Sequence, residues 1–234
     1  MRILAVSAHP DDLEIQCGGT LLRYVQEGHD VTMCNVASGN GGSFIHTRDE
    51  IGDIRLAEAR AGASMIGATH YTLNVPDTEV NASDVAQRLA VVDLVRRARP
   101  DVIITHGPND YMVDHVETGK LVEDSSFTAT VPLVVTEHPA LEAVPTLFFM
   151  DNTRGLGFEP TEYVDISEVL ERKLEALACH ESQVGWLRDH SGADVVGDAR
   201  IANLYRGRQA GVHAAEGFRP SMKHLRMRTR RVLP

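Results

Sequence analysis

Short apolar runs, each followed by a stretch with helical spacing, constrain this chain more than any other feature. Arg2 to Ala8 reads as a buried strand, and Gly18 to Glu27 as a helix with Leu21, Leu22 and Val25 on one face. Val31 to Ala37 follows as a second strand and runs into the loop Ser38-Gly39-Asn40-Gly41-Gly42-Ser43. A long helix is expected from about Thr47 to Ile66, stopped by Gly67. Strand Tyr71 to Val75, helix Ser83 to Arg99 and strand Asp101 to Thr105 continue the series. Strands separated by helices of this length pair in parallel through right-handed crossovers. The expected fold is therefore α/β: a Rossmann-like open, mostly parallel sheet flanked by helices. The C-terminal third is more mixed, with a strand from Thr146 to Met150, a helix from Ser167 to about Cys179 and another around Ala199 to Gly211.

No linker or repeat divides the 234 residues, so residues 1–220 are expected to form a single domain. Residues 221–234 read as a basic tail carrying Lys223, Arg226, Arg228, Arg230 and Arg231. The net charge of −10 argues against general nucleic-acid binding, which needs a cationic face. No apolar run approaches the ~18 residues that span a bilayer. Ile3-Leu4-Ala5-Val6 is too short for a signal-peptide core of ~7–15 residues, so a cytoplasmic protein with no membrane partner is expected. Cys17, Cys34 and Cys179 are scattered and form no Cys-x-x-Cys pair, which fits a reducing compartment.

In open parallel sheets the ligand sits beyond the carboxyl ends of the strands. After the first strand comes His9-Pro10-Asp11-Asp12-Leu13-Glu14, where a nucleotide-binding protein would carry a glycine turn. Crowded carboxylates at the mouth of a sheet are costly unless a cation compensates them. Imidazole and carboxylate together suit zinc, and a catalytic zinc keeps three protein ligands and one open position. The loop after the fourth strand offers the third ligand: by spacing alone His106, Asp110, Asp114 or His115 would serve. The alternative is that these residues cap the helix after Asp114.

The run Ala8-His9-Pro10-Asp11-Asp12-Leu13-Glu14-Ile15, with Cys17-Gly18-Gly19-Thr20-Leu21 behind it, closely resembles the opening motif of the PIG-L/LmbE-like zinc deacetylases. The resemblance extends through Ile54-Arg55-Leu56-Ala57-Glu58-Ala59, Pro76-Asp77, Asp165-Ile166-Ser167, Glu181-Ser182-Gln183 and Ala215-Glu216-Gly217-Phe218, where the chain is most similar to bacillithiol-pathway N-acetylglucosamine deacetylases. It implies zinc on His9, Asp12 and His115, Asp11 as general base, and removal of an acetyl group from an N-acetylglucosaminyl-type small molecule by a zinc-bound water. It also implies a homo-oligomer. Arg55 matches a family arginine that faces the sugar or its acid substituent, with an ion pair to Glu58 as its alternative. Asp77, a loop residue at the same mouth, is expected to bind a sugar hydroxyl or to cap a turn, and His106 is counted with them as a substrate-binding residue.

One position departs from the family pattern, which has histidine where this chain has Met112. A thioether donates no proton. Acid assistance is then expected from His106, His46 or His213, with Asp114 placed to orient a donor from another loop. The same departure leaves open a zinc-dependent hydratase or lyase on this fold. A non-catalytic metal- or ligand-binding relative is the third reading, and retention of Asp11 counts against it.

Overall fold

The structure, a computed structural model, describes residues 1–153 and 155–223; Arg154 and most of the basic tail lie outside the described residues. Five parallel strands carry the N-terminal two thirds: β1 (Arg2–Ser7), β2 (Asp30–Ala37), β3 (Thr69–Val75), β4 (Val102–His106) and β5 (Thr146–Met150). Between them run α1 (Asp12–Gln16), α2 (Gly18–Gln26), α3 (Arg48–Ile66), α4 (Val85–Ala98) and α5 (Val113–Thr128). After β5 come β6 (Glu162–Asp165), α6 (Leu170–Ala178), α7 (Glu181–Ser191), α8 (Val195–Ala210) and β7 (Ala215–Pro220). The sheet order is β3-β2-β1-β4-β5-β7-β6, with β7 antiparallel to both of its neighbours. This is the expected open, mostly parallel sheet.

Helices cover both faces, which is why β1 is an unbroken apolar run with no polar alternation. Ile3 and Ala5 point into a core shared with Leu21, Ala63, Leu174 and Leu177, while Leu4 and Val6 face Val91, Val95, Leu121 and Val122 on the other side. Among the described residues no helix is long and apolar enough to cross a membrane.

Local chemistry fixes the element ends. Thr47 closes a capping box with Glu50 at the start of α3, and Gly67 ends that helix at φ +89°. The helix expected from Ser167 begins instead at Leu170, because Asp165 accepts hydrogen bonds from the Ser167 N–H and hydroxyl and holds the chain in a turn. The helix expected from Ala199 begins at Val195, where Asp194 accepts the Gly197 N–H as its cap.

The start of α2 is tied to the last strand. Glu216 on β7 accepts the Gly19 and Thr20 N–H groups at 2.9 and 2.7 Å, giving the helix N-terminus its counter-charge. A Cβ at Gly19 would lie 2.7 Å from Ile166, so only glycine permits this approach. Lys173 is fully buried, with Nζ 2.7 Å from Glu216 Oε1 and 2.6 Å from Asn203 Oδ1. Replacing Glu216 by Leu strands that ammonium and is expected to lower stability by about 3–5 kcal/mol, read as a shift in urea midpoint. The Lys173→Met/Glu216→Leu pair should recover part of the loss, because no charge then remains; equal losses in both proteins would assign the effect to packing.

Candidate active site

Two loops at the carboxyl ends of adjacent strands build the site. The loop after β1 supplies His9, Asp11 and Asp12, and the segment after β4 supplies Asp110, Asp114 and His115. His9, Asp12 and His115 are all buried and can each offer a ligand atom, these atoms lying within 4.8 Å of one another. The His9 Nδ1 is 3.6 Å from Asp12 Oδ2, and the His115 Nε2 is 3.3 Å from Asp12 Oδ1. That Nε2 is buried and makes no hydrogen bond. An orphaned imidazole nitrogen facing a carboxylate oxygen is what a divalent cation would join, so the residues present fit zinc.

The outer nitrogens are held by a second ring of carboxylates. His9 Nε2 meets Asp114 Oδ2 at 3.0 Å, and His115 Nδ1 meets Asp110 Oδ2 at 3.0 Å. Such partners set the tautomer and aim the free nitrogen. Burial opposes charge on His9, but Asp114 and Asp12 outweigh it and push its pKa up to about 9. Burial likewise opposes charge on His115, and Asp12 with Asp110 pushes it up to about 10. Burial alone would raise Asp12, yet His115, His106 and His9 hold it well below the usual carboxylate range.

Asp11 stands beside this set and outside it. Burial raises its pKa to about 6, against the opposing pull of Arg55. Its backbone sits at φ +102°, a region L-residues rarely adopt, as the N-cap of the short α1. Arg55 Nη2 donates to the Pro10 carbonyl and lies 3.5 Å from Asp11 Oδ1, while Nη1 donates to the Gly39 carbonyl at 3.2 Å. The ion pair with Glu58 is not formed: Glu58 accepts from the Ser182 N–H and hydroxyl.

The structure places the other sequence candidates as follows. Asp77 lines the cavity, with its two oxygens accepting the Gly39 and Gly41 N–H groups at 2.7 and 2.8 Å, so it fixes the glycine-rich loop. Asp114 lies in the first turn of α5, not before the helix, and also accepts the Thr78 N–H at 2.7 Å; the loop imidazole it orients is His9. His106 is buried behind the site and does not line the cavity, which corrects its expected contact with substrate. Its Nε2 accepts the Ala8 N–H at 3.0 Å, and its ring stacks on His115 at 4.1 Å. Burial and the neighbouring His115 lower its pKa to about 4, so it is neutral and acts as a backing for His115. His46 and His213 are exposed and neither lines the cavity.

The cavity, about 820 Å³, opens from this set toward α7 and α8. Met112 lines it, as do Gln183, Trp186 and His190, which sequence reasoning passed over. Gln183 lay within a family-like segment; Trp186 and His190 carried no signal until α7 was seen to face the site.

The open, mostly parallel sheet thus carries at its mouth a buried His/Asp/His set able to hold a metal ion, with a further carboxylate, Asp11, beside it. Residues 4–126 match the family described as PIG-L, GlcNAc-PI de-N-acetylase. A 1D-myo-inositol 2-acetamido-2-deoxy-alpha-D-glucopyranoside deacetylase of Rhodococcus erythropolis (strain PR4 / NBRC 100887) is 31% identical, over 78% of this chain and 81% of its own. The diacetylchitobiose deacetylase of Thermococcus kodakarensis is 27% identical, over 93% and 82%. Among solved structures, GalB, the 4-carboxy-2-hydroxymuconate hydratase of Pseudomonas putida KT2440, superposes with a TM-score of 0.82 at 21% identity over 100% of both chains, a likeness of fold. The class is thus that of the amide-hydrolysing deacetylases. The chain belongs to the PIG-L family.

Alanine at His9, Asp12 or His115 is expected to abolish tight zinc binding, since two protein ligands rarely hold the ion. Alanine at Asp110, which only aims His115, should weaken it by roughly 10–100-fold. Elemental analysis after dialysis reads both, and full zinc in the His115→Ala protein would remove that residue from the set.

Proposed function

We propose that this protein is a zinc-dependent hydrolase that removes an acetyl group from the amide of an N-acetylglucosaminyl-type small molecule. The observation that carries the reading is Asp11: a buried carboxylate with its pKa raised to about 6, pinned by Arg55 beside a three-residue metal set in an open cavity. A binder has no need of such a base. When bound, zinc on His9, Asp12 and His115 supplies an acidified water and polarises the amide carbonyl.

The remaining work falls to the chain's own residues. Asp11 takes a proton as the water oxygen bonds to the carbonyl carbon, and returns a proton to the nitrogen as the C–N bond breaks, giving acetate and a free amine. Burial, which favours the neutral carboxyl, helps Asp11 to hold the proton between the two transfers. This assigns Asp11 the acid role that Met112 leaves vacant. His106 and Asp110 keep His115 aimed, Asp114 keeps His9 aimed, and Asp77 holds the glycine-rich loop at the cavity wall.

The second reading, hydration or lyase chemistry, is favoured only by Met112 standing at the cavity where the family carries histidine. Product analysis separates the two, because deacetylation yields acetate and a primary amine in equal amounts and hydration yields neither. Asp11→Asn is expected to keep zinc and lower kcat by about 10²–10⁴-fold, the span typical of a positioned acid–base group. Unchanged kcat with zinc retained would move the proton-transfer role to another group.

A further inference from the structure

We propose that the outer half of the cavity is a subsite for an aromatic, or similarly flat and apolar, group attached to the amino-sugar, and that Trp186 is its floor. The proposal rests on the deacetylase reading for the inner half of the cavity. There, carboxylates and imidazoles crowd the metal set; on the α7–α8 side the lining changes to Ile15, Trp186, Leu187, Val195, Ala199 and Tyr205.

The Trp186 ring is held in place before any ligand arrives. His190, one turn further along α7, stacks on it at 4.7 Å with an interplanar angle of 18°. A Cβ at Gly42 would lie 3.6 Å from Trp186 Cδ2 and Cε3, so the glycine-rich loop packs its backbone against the indole. Phe44, which is 68% exposed, leans on both rings at 6.2 and 6.0 Å. A preordered aromatic surface of this kind binds a flat partner at little entropic cost.

The chemistry of the lining selects the occupant. Arg55 is the one Arg or Lys among the described residues lining the cavity, and both of its Nη atoms already serve backbone carbonyls. It stands at the metal set beside Asp11, so a carboxylate or phosphate on the α7–α8 side would face Asp198 with no Arg or Lys among the described lining residues to pair it. The polar side chains on this side are Gln183, His190, Ser191, Asp198 and Tyr205. The His190 ring stacks on Trp186, the Ser191 hydroxyl donates to the Leu187 carbonyl and the Tyr205 hydroxyl accepts from Gln209, which leaves Gln183 and Asp198 to meet the several hydroxyls of a polyol or second sugar. Hydroxyls buried without partners cost more than stacking returns. A neutral aromatic aglycone meets neither penalty.

The chain contains one Trp, so intrinsic fluorescence reports this surface directly. Zinc-loaded full-length protein is compared on phenyl and methyl N-acetyl-β-D-glucosaminide. The phenyl glycoside is expected to show kcat/KM higher by on the order of tenfold or more, and saturable quenching of Trp186 that the methyl glycoside lacks. Trp186→Ala should bring the phenyl-to-methyl ratio toward one, and Trp186→Phe should keep most of it. Equal kcat/KM with unchanged fluorescence, or a ratio that survives in Trp186→Ala, overturns the subsite while leaving deacetylation intact. Acetate released from neither glycoside overturns the deacetylase reading; saturable quenching by the phenyl glycoside alone would then still support the aromatic subsite, and its absence would overturn it. Quenching by N,N'-diacetylchitobiose as strong as by the phenyl glycoside assigns the surface to a second sugar and overturns the proposal.

Discussion

The site depends on one buried carboxylate. Asp12 receives the His9 N–H at 2.7 Å and is approached by the rings of His9, His106 and His115. Removing a negative charge from water to this extent is tolerable only with positive or polarisable groups around it. Everything near it serves that requirement, including the imidazoles, their own carboxylate partners and the cation the set can accept. The sheet order makes this possible, because β1 lies between β2 and β4, so segments about a hundred residues apart in the chain meet where the strand order reverses.

Much of the fold was legible because the parallel strands are fully covered and therefore read as plain apolar runs. The strand Thr146–Met150 falls on the predicted bounds, and α3 has both ends written in its sequence, Thr47 with Glu50 at one and Gly67 at the other. The antiparallel edge was not legible. Glu162–Asp165 has only four residues, none of them buried, and Ala215–Pro220 contains Gly217 and Pro220, which weaken a strand signal. Their pairing is set by tertiary position and not by local propensity. The short α1 was hidden because its residues are those of the chemical motif itself, strained at Asp11 to turn the chain.

The residues of the site were legible and their division of labour less so. Arg55, Asp77 and His106 were read as groups that meet a substrate; Arg55 and Asp77 line the cavity and His106 does not. Each spends its hydrogen bonds on backbone far away in sequence: Pro10 and Gly39 for Arg55, Gly39 and Gly41 for Asp77, Ala8 for His106. A motif records that a charged residue stands at a given point; whether it faces ligand or scaffold depends on which carbonyls and N–H groups the fold brings beside it. Phe44, Trp186 and His190 show the converse, since their stack joins a loop to a helix that no spacing rule connects.

The dependence of α2 on Glu216 has a consequence for synthesis. A ribosome adds ~5–20 residues each second, so for seconds after Lys173 is made its carboxylate partner does not exist. During that interval the ammonium cannot be buried and the α2 N-terminus lacks its acceptor, which keeps the α6 face open and wet. Strand β7 pairs with both β5 and β6, so β6 has no place in the sheet before β7 is made. The nascent protein therefore reaches its final packing only when the last strand emerges, and a chaperone that shields apolar surface has a defined window in which to act.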